Sequence, residues 1–218
     1  MLRIAIDGPA GSGKSTISKR LAEKYNLLYI DTGAFYRTAA WMLVKFNLSV
    51  GELANYLKRC RIMLEKDRVL IDLDGNIYDV TDEIRSPDIS MKTSEIAAIP
   101  EVRSVITDQQ KAVAKRSSVV MDGRDIGTVV IPDAEIKIFL TASANERAKR
   151  RYNELIGKGL DVDFDTLLGE IVERDKNDAN RSVAPLKKAD DAYELDTTDM
   201  SIDEVVSEIE KIIRKKGF

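Results

Sequence analysis

Short apolar runs alternate along the chain with segments whose apolar residues recur every three to four positions. That pattern predicts buried strands separated by amphipathic helices. The runs Leu2–Asp7, Leu27–Ile30, Ser118–Asp122, Ile136–Leu140 and Tyr193–Asp196 read as parallel strands. Helical periodicity falls near 14–25, 34–46, 49–59, 87–98, 101–115, 144–156, 163–175 and 202–215. Capping boxes at Ser49-Val50-Gly51-Glu52 and Ser201-Ile202-Asp203-Glu204 mark two helix starts, and Ser86-Pro87 marks a third. The alternation predicts an α/β fold, a mostly parallel sheet with helices on both faces.

One stretch breaks the alternation. Residues 61–65, 68–73 and 76–80 are short alternating runs, with turn signals at Lys66-Asp67 and Asp74-Gly75. They predict a small antiparallel β insertion, which is either a surface meander or a cover for a substrate.

Gly8-Pro9-Ala10-Gly11-Ser12-Gly13-Lys14-Ser15 spells a complete phosphate-binding loop, G-x-x-x-x-G-K-S, between the first strand and the first helix. Its glycines let successive backbone N–H groups converge on a phosphate chain, and the helix N-terminus adds positive partial charge. Gly8 through Thr16 are therefore the expected nucleotide cradle. Lys14 is expected to reach the β- and γ-phosphates and Ser15 to offer its hydroxyl to Mg²⁺.

The chain has 218 residues, enough for one domain with small insertions. Its 34 Lys and Arg against 37 Asp and Glu leave no global basic field, so neither nucleic acid nor a membrane surface is an expected partner. The lone Cys60 reads as a small apolar helix residue and excludes an internal disulfide. Met1 leads directly into the first strand and no apolar run approaches bilayer length, so a cytoplasmic protein is expected. The absence of histidine removes His-based triads, metal sites and general bases. Lys, Arg, Asp, Ser and a metal ion remain, an inventory suited to phosphoryl transfer.

Polar, chemically useful residues follow the strands, where open α/β sheets bind ligands. Thr32 and Arg37, in Asp31-Thr32-Gly33-Ala34-Phe35-Tyr36-Arg37, are placed to grip a second phosphate, or mark an ordinary helix start. Asp122, ending the third strand, stands where phosphate-loop proteins place a metal-orienting carboxylate; Arg124 and Asp125 follow it as ligand contacts or as a self-satisfied pair. Arg147 and Arg151 share a helix face ahead of the turn Gly157-Lys158-Gly159, and Arg174, Asp178 and Arg181 bring the chain back. Two basic clusters around a hinge suit a lid over a triphosphate; the alternative is a solvated face.

Taken in order, these motifs resemble the bacterial cytidylate kinases. The resemblance rests on G-P-A-G-S-G-K-S at 8–15, D-T-G-A-F-Y-R at 31–37 and S-E-I-A-A-I-P-E-V-R at 94–103. It continues in D-G-R-D-I-G-T at 122–128, K-I-F-L-T-A at 137–142 and E-R-D-K-N-D-A-N-R-S-V-A-P-L at 173–186. It implies a P-loop kinase core with a five-stranded parallel sheet, a small antiparallel β insert over the monophosphate site and a short helical lid. On that reading, 1–60, 116–142 and 182–218 form the core, 61–115 the insert, and 143–181 the lid with its flanking helices, in a single unit. Thr32, Arg37 and Arg124 would hold the acceptor phosphate; many members carry serine at the position of Thr32, which keeps the hydroxyl. Ser94, Arg103 and Asp125 would read cytosine, and Arg174, Asp178 and Arg181 the ribose. Lys14, Arg124, Arg147, Arg151 and Arg181 would supply catalytic charge. ATP would be the donor, CMP and dCMP the acceptors, with Mg²⁺ on Ser15 and on Asp122 through water.

The base-reading set is chemically sensible by itself. Cytosine offers an amino donor to a carboxylate such as Asp125 and ring acceptors to an arginine such as Arg103; uracil reverses both. Another small-molecule kinase on the same core is a rival reading. So is a nucleotide switch, although Asn177-Asp178-Ala179-Asn180 lacks the N-K-x-D pattern of guanine selection. No contiguous apolar surface stripe stands out, and a monomer is expected.

Overall fold

The computed structural model describes residues 1–65 and 68–218. The turn expected at Lys66-Asp67 lies outside the described residues. The chain folds into two compact units, residues 1–29 with 118–218 and residues 30–117.

The first unit is built on β1 (Arg3–Asp7), β6 (Val119–Gly123), β7 (Ile136–Thr141) and β8 (Tyr193–Asp196). With β2 (Leu28–Asp31) they form a five-stranded sheet in the order β2-β6-β1-β7-β8. β2 enters through Leu28, whose N–H donates to the Ser118 carbonyl at 3.0 Å. The pairings of β1 with β6 and β7, and of β7 with β8, are parallel, as the alternating pattern predicts. β1 sits in the middle and is buried from Ile4 to Asp7, so its sequence is continuously apolar until the last residue.

Helix α1 (Lys14–Tyr25) places Ile17 and Leu21 on this sheet; α8 (Ile202–Lys215) adds Val205, Ile209 and Ile213, spaced four apart on one stripe. Together with Ile4, Ile6, Val120, Ile136, Ile138 and Leu140 they make the core that holds β1 fixed. Helices α6 (Ala144–Gly157) and α7 (Phe164–Asn180) follow β7 as a helical hairpin, with Gly159 at φ 76° in its connection. Tyr152 and Phe164 meet edge to face across it, at 5.9 Å between ring centres.

The second unit holds α2 (Thr32–Lys45), α3 (Val50–Arg59), the antiparallel sheet β3 (Cys60–Glu65), β4 (Arg68–Leu73) and β5 (Asn76–Asp79), then α4 (Pro87–Ile96) and α5 (Pro100–Ala114). The expected antiparallel insertion is therefore present. Asp74 and Gly75 both take positive φ, 52° and 84°, the conformation that lets a two-residue turn follow strand twist. Trp41, Phe46, Tyr56 and Tyr78 form one aromatic cluster, with ring centres 5.7–6.0 Å apart.

Four details depart from the sequence pattern. Helix α2 begins at Thr32 rather than 34, because the Asp31 carboxylate caps it by accepting the Ala34 N–H at 3.2 Å. Cys60 is not helical: it closes α3 and opens β3, buried. Residues 126–130, to which the sequence pattern assigns no element, make a wide helical turn in which Val130 and Ile131 N–H groups bond five residues back, to Asp125 and Ile126. Finally, α7 runs to Asn180, five residues beyond the end of its apolar periodicity. Its last turns are polar, and the chain returning at Leu186 donates to the Asp178 carbonyl at 2.8 Å, satisfying a helix-end acceptor.

Candidate active site

The phosphate loop joins β1 to α1. Gly8 has φ 150°, and a side chain there would place its Cβ 2.0 Å from the Leu140 carbonyl oxygen, so only glycine lets the loop pass under β7. Gly13, at φ 91°, precedes α1 and offers no side-chain cap. The first N–H groups of α1 are thereby left to a ligand, which is the condition for anion binding at a helix start.

Lys14 is 6% exposed, and its ammonium donates to the Pro9 carbonyl at 2.6 Å and more weakly to Ser12 Oγ at 3.4 Å. Burial lowers its pKa well below the usual lysine value, and the Arg124 cation adds to that effect; Asp122 and Asp7 oppose it. A bound polyphosphate would add negative charge beside this amine and favour its protonated form. Ser15, one turn position on, is exposed and donates from Oγ to Asp122 Oδ2 at 2.9 Å. Thr16 beside it is exposed as well.

These donors and this carboxylate suit Mg²⁺ brought by a nucleotide. Among the described residues, no group of three or more His, Cys, Asp or Glu side chains could cage a metal alone. Ser15 and Asp122 can therefore complete a coordination shell but not provide one.

Past β6, Arg124 donates from Nε to Asp178 Oδ2 at 2.7 Å, and Arg181 lies 3.9 Å from the other oxygen of the same carboxylate. Burial pushes the Asp178 carboxyl upward, but Arg124, Arg181 and Arg174 outweigh it and hold the group below the usual carboxylate value. Arg174, inside the helix expected over 163–175, and Asp178, just beyond it, both stand on α7, and Arg181 ends that helix. Asp125 is buried ahead of the wide turn.

Helix α6 sends Arg147 and Arg151 different ways. Arg147 turns inward, with its side chain 5% exposed, and bonds the Ala10 carbonyl of the loop at 2.9 Å and the Ala142 carbonyl at 2.9 Å. Arg151, 48% exposed, pairs with Glu154 at 2.8 Å. The i, i+4 spacing therefore does not give the pair a common environment.

In the second unit, Thr32 is buried at the start of α2 and Arg37, one turn later, pairs with Asp31 at 2.5 Å. Gly33 makes room for that pair, since a Cβ there would come 2.8 Å from Arg37 Nη1. Arg103 on α5 is buried; it donates to the Ala97 carbonyl at 2.9 Å and lies 5.3 Å above the Tyr36 ring. Ser94 on α4 is exposed, next to a buried Thr93.

Sequence reasoning passed over Asp7 and Asp175. The Asp7 carboxylate is buried at the end of β1 and accepts the N–H groups of Ile126 and Gly127, each at 2.8 Å. Burial raises its pKa to about 6; the two N–H donors pull it down and Asp125 pushes it up. The available signal was a lone acid closing an otherwise apolar central strand. Asp175 carried no comparable signal, because one more acid in a charged helix is unremarkable until its partner Arg147 is seen.

A central strand, a glycine loop, an uncapped helix and a Ser15–Asp122 bond at the neighbouring strand end put the protein in the class of P-loop nucleotide-binding α/β proteins. Comparison with known proteins narrows the class. The chain matches the cytidylate kinase family model over residues 4–215, and it belongs to that family. It is 46% identical to a cytidylate kinase of Carboxydothermus hydrogenoformans over 99% of each chain. With one from Bacillus subtilis the identity is 48%, over 99% of this chain and 98% of that one. Among solved structures, an uncharacterized protein from Eubacterium ventriosum aligns over 98% of this chain and 99% of its own, with a TM-score of 0.53 at 19% identity, a likeness of fold alone. No helix among the described residues is long and apolar enough to cross a membrane.

Proposed function

We propose that this protein transfers the γ-phosphoryl group of ATP in line to CMP or dCMP, giving CDP or dCDP and ADP. The observation that carries the reading is the complete donor loop, with Lys14 and the Ser15–Asp122 pair at its end, in a chain that matches the cytidylate kinase family almost throughout. Gly8 to Thr16 would cradle the donor phosphates, and Lys14 would follow the γ-phosphoryl group as charge builds on it. Mg²⁺, held by Ser15 with Asp122 behind it through water, would neutralise charge across the β- and γ-phosphates.

Thr32, Arg37 and Arg124 would hold the acceptor phosphate. Its attacking oxygen is already anionic, so no general base is required, in keeping with a chain that has no histidine. Ser94, Arg103 and Asp125 would read the cytosine edge, and Arg174, Asp178 and Arg181 the ribose. Arg151 and Arg181 would add positive charge near the leaving ADP, and closure of the α6–α7 hairpin would exclude water. Arg147 is already engaged with the Ala10 carbonyl, so its contribution would come through the shape of the loop.

A coupled assay scanning CMP, dCMP, UMP and AMP as acceptors tests the reading. Preferential turnover of CMP and dCMP is expected. Preferential turnover of UMP or AMP, or nucleotide hydrolysis independent of any monophosphate, would overturn it.

A further inference from the structure

Arg147 and Asp175 make an ion pair that nothing in the phosphoryl-transfer chemistry requires. The Arg147 guanidinium is buried and uses donors on every nitrogen. Nε bonds the Ala142 carbonyl, Nη1 bonds both the Ala10 carbonyl and Asp175 Oδ1 at 3.0 Å, and Nη2 bonds Asp175 Oδ2 at 2.5 Å. A two-point arginine–carboxylate contact fixes orientation as well as distance. Its target is the peptide between Ala10 and Gly11, inside the donor loop. Gly11 lets the arginine approach: a Cβ there would lie 3.2 Å from Arg147 Cβ.

Asp175 stands on α7 three residues before Asp178, so both carboxylates occupy one turn and one face of that helix. Asp178 in turn fixes Arg124. The donor loop and the arginine that follows β6 are thus tied to adjacent positions on a single rigid element, each through a charged hydrogen bond.

We propose that Asp175 is a positioning residue which, through Arg147, sets the donor loop and couples donor binding to acceptor binding along α7. The inference rests on the CMP kinase reading above. Coupling of this kind can be carried by a contiguous path of packed and hydrogen-bonded groups whose arrangement both ligands bias. Here the path runs Ala10, Arg147, Asp175, Asp178, Arg124, and all of it lies in the first unit. Loss of the Asp175 charge would leave a buried guanidinium half-satisfied and free to tilt away from the Ala10 carbonyl.

The test is calorimetric titration of the full chain with CMP, with and without a saturating non-hydrolysable ATP analogue and Mg²⁺. In the unaltered chain the analogue is expected to tighten CMP binding at least about fivefold, the lower end of ordinary site-to-site coupling. In Asp175→Asn that ratio should fall close to one. A purely structural role would lower the melting temperature and leave the ratio unchanged; that result, or a ratio of one in the unaltered chain, overturns the inference. Should Asp175→Asn fail to fold, Arg147→Lys serves instead, since it keeps the charge and loses the two-point contact. Absence of CMP turnover in the unaltered chain would defeat the functional reading, whereas normal turnover with unchanged coupling would defeat this inference alone.

Discussion

Ser15 Oγ and Asp122 Oδ2 lie 2.9 Å apart, joining the end of the phosphate loop to the end of the adjacent strand. On the proposed function, this hydroxyl and this carboxylate would stand beside the metal of a bound magnesium nucleotide. Asp122→Asn is expected to lower kcat by about two orders of magnitude, typical for losing one preorganised charge contact, and to raise the Mg²⁺ concentration needed for half-maximal rate. Lys14→Ala should lose at least about as much. Steady-state rates across a Mg²⁺ titration check both, and near-normal turnover in Lys14→Ala would remove the site assignment.

Gly33 gives a test confined to the proposed acceptor side. In Gly33→Ala the new methyl would press on Arg37 Nη1, the far end of a flexible side chain, so the backbone can stay in place while the guanidinium moves. The expected outcome is a raised KM for CMP, an unchanged KM for ATP and a melting temperature close to that of the unaltered chain. A matching rise in both KM values would mean that Arg37 does not serve the acceptor specifically.

Selectivity between pyrimidines should depend on Asp125. Mispairing a buried polar group costs about 1–3 kcal/mol, so uracil against this carboxylate is disfavoured by roughly one to two decades. Asp125→Ala should weaken CMP use and narrow the gap between CMP and UMP in competition assays. An unchanged ratio would reject the base-reading role.

Asp7 gives a pH signature. Its folded pKa, raised to about 6 mainly by burial, lies above the unfolded aspartate value of about 3.9. Between these values the folded chain therefore holds more of a proton than the unfolded chain. This group's contribution to stability is present in full below about pH 4, falls as pH rises through about 6, and is flat above that. Urea unfolding from pH 4 to 7 should show that decline in the unaltered chain relative to Asp7→Asn. Parallel profiles for the two would exclude a buried, titrating Asp7.

The elements that sequence pattern located best are those whose signal is local. The phosphate loop, both capping boxes, the Asp74-Gly75 turn and the five parallel strands each depend on consecutive residues, backbone freedom or a continuous apolar run. The end of α7 was missed because its last turns carry no apolar periodicity; what completes them is a hydrogen bond from Leu186, eight residues further on. The wide turn at 126–130 was missed for a similar reason, since its N–H groups are organised by Asp7 on another strand.

Sequence by itself determined the phosphate-binding loop that closes on Lys14 and Ser15, and a chain without histidine left arginine, lysine, serine and carboxylate groups as its chemical inventory. Tertiary structure alone decided what each long side chain does. Arg147 and Arg151 are four residues apart on one helix, yet one is buried against the donor loop and Asp175 while the other meets Glu154 at the surface. An arginine reaches far enough to choose among several partners, and the choice depends on which elements the fold brings alongside, at separations in sequence that periodicity does not register.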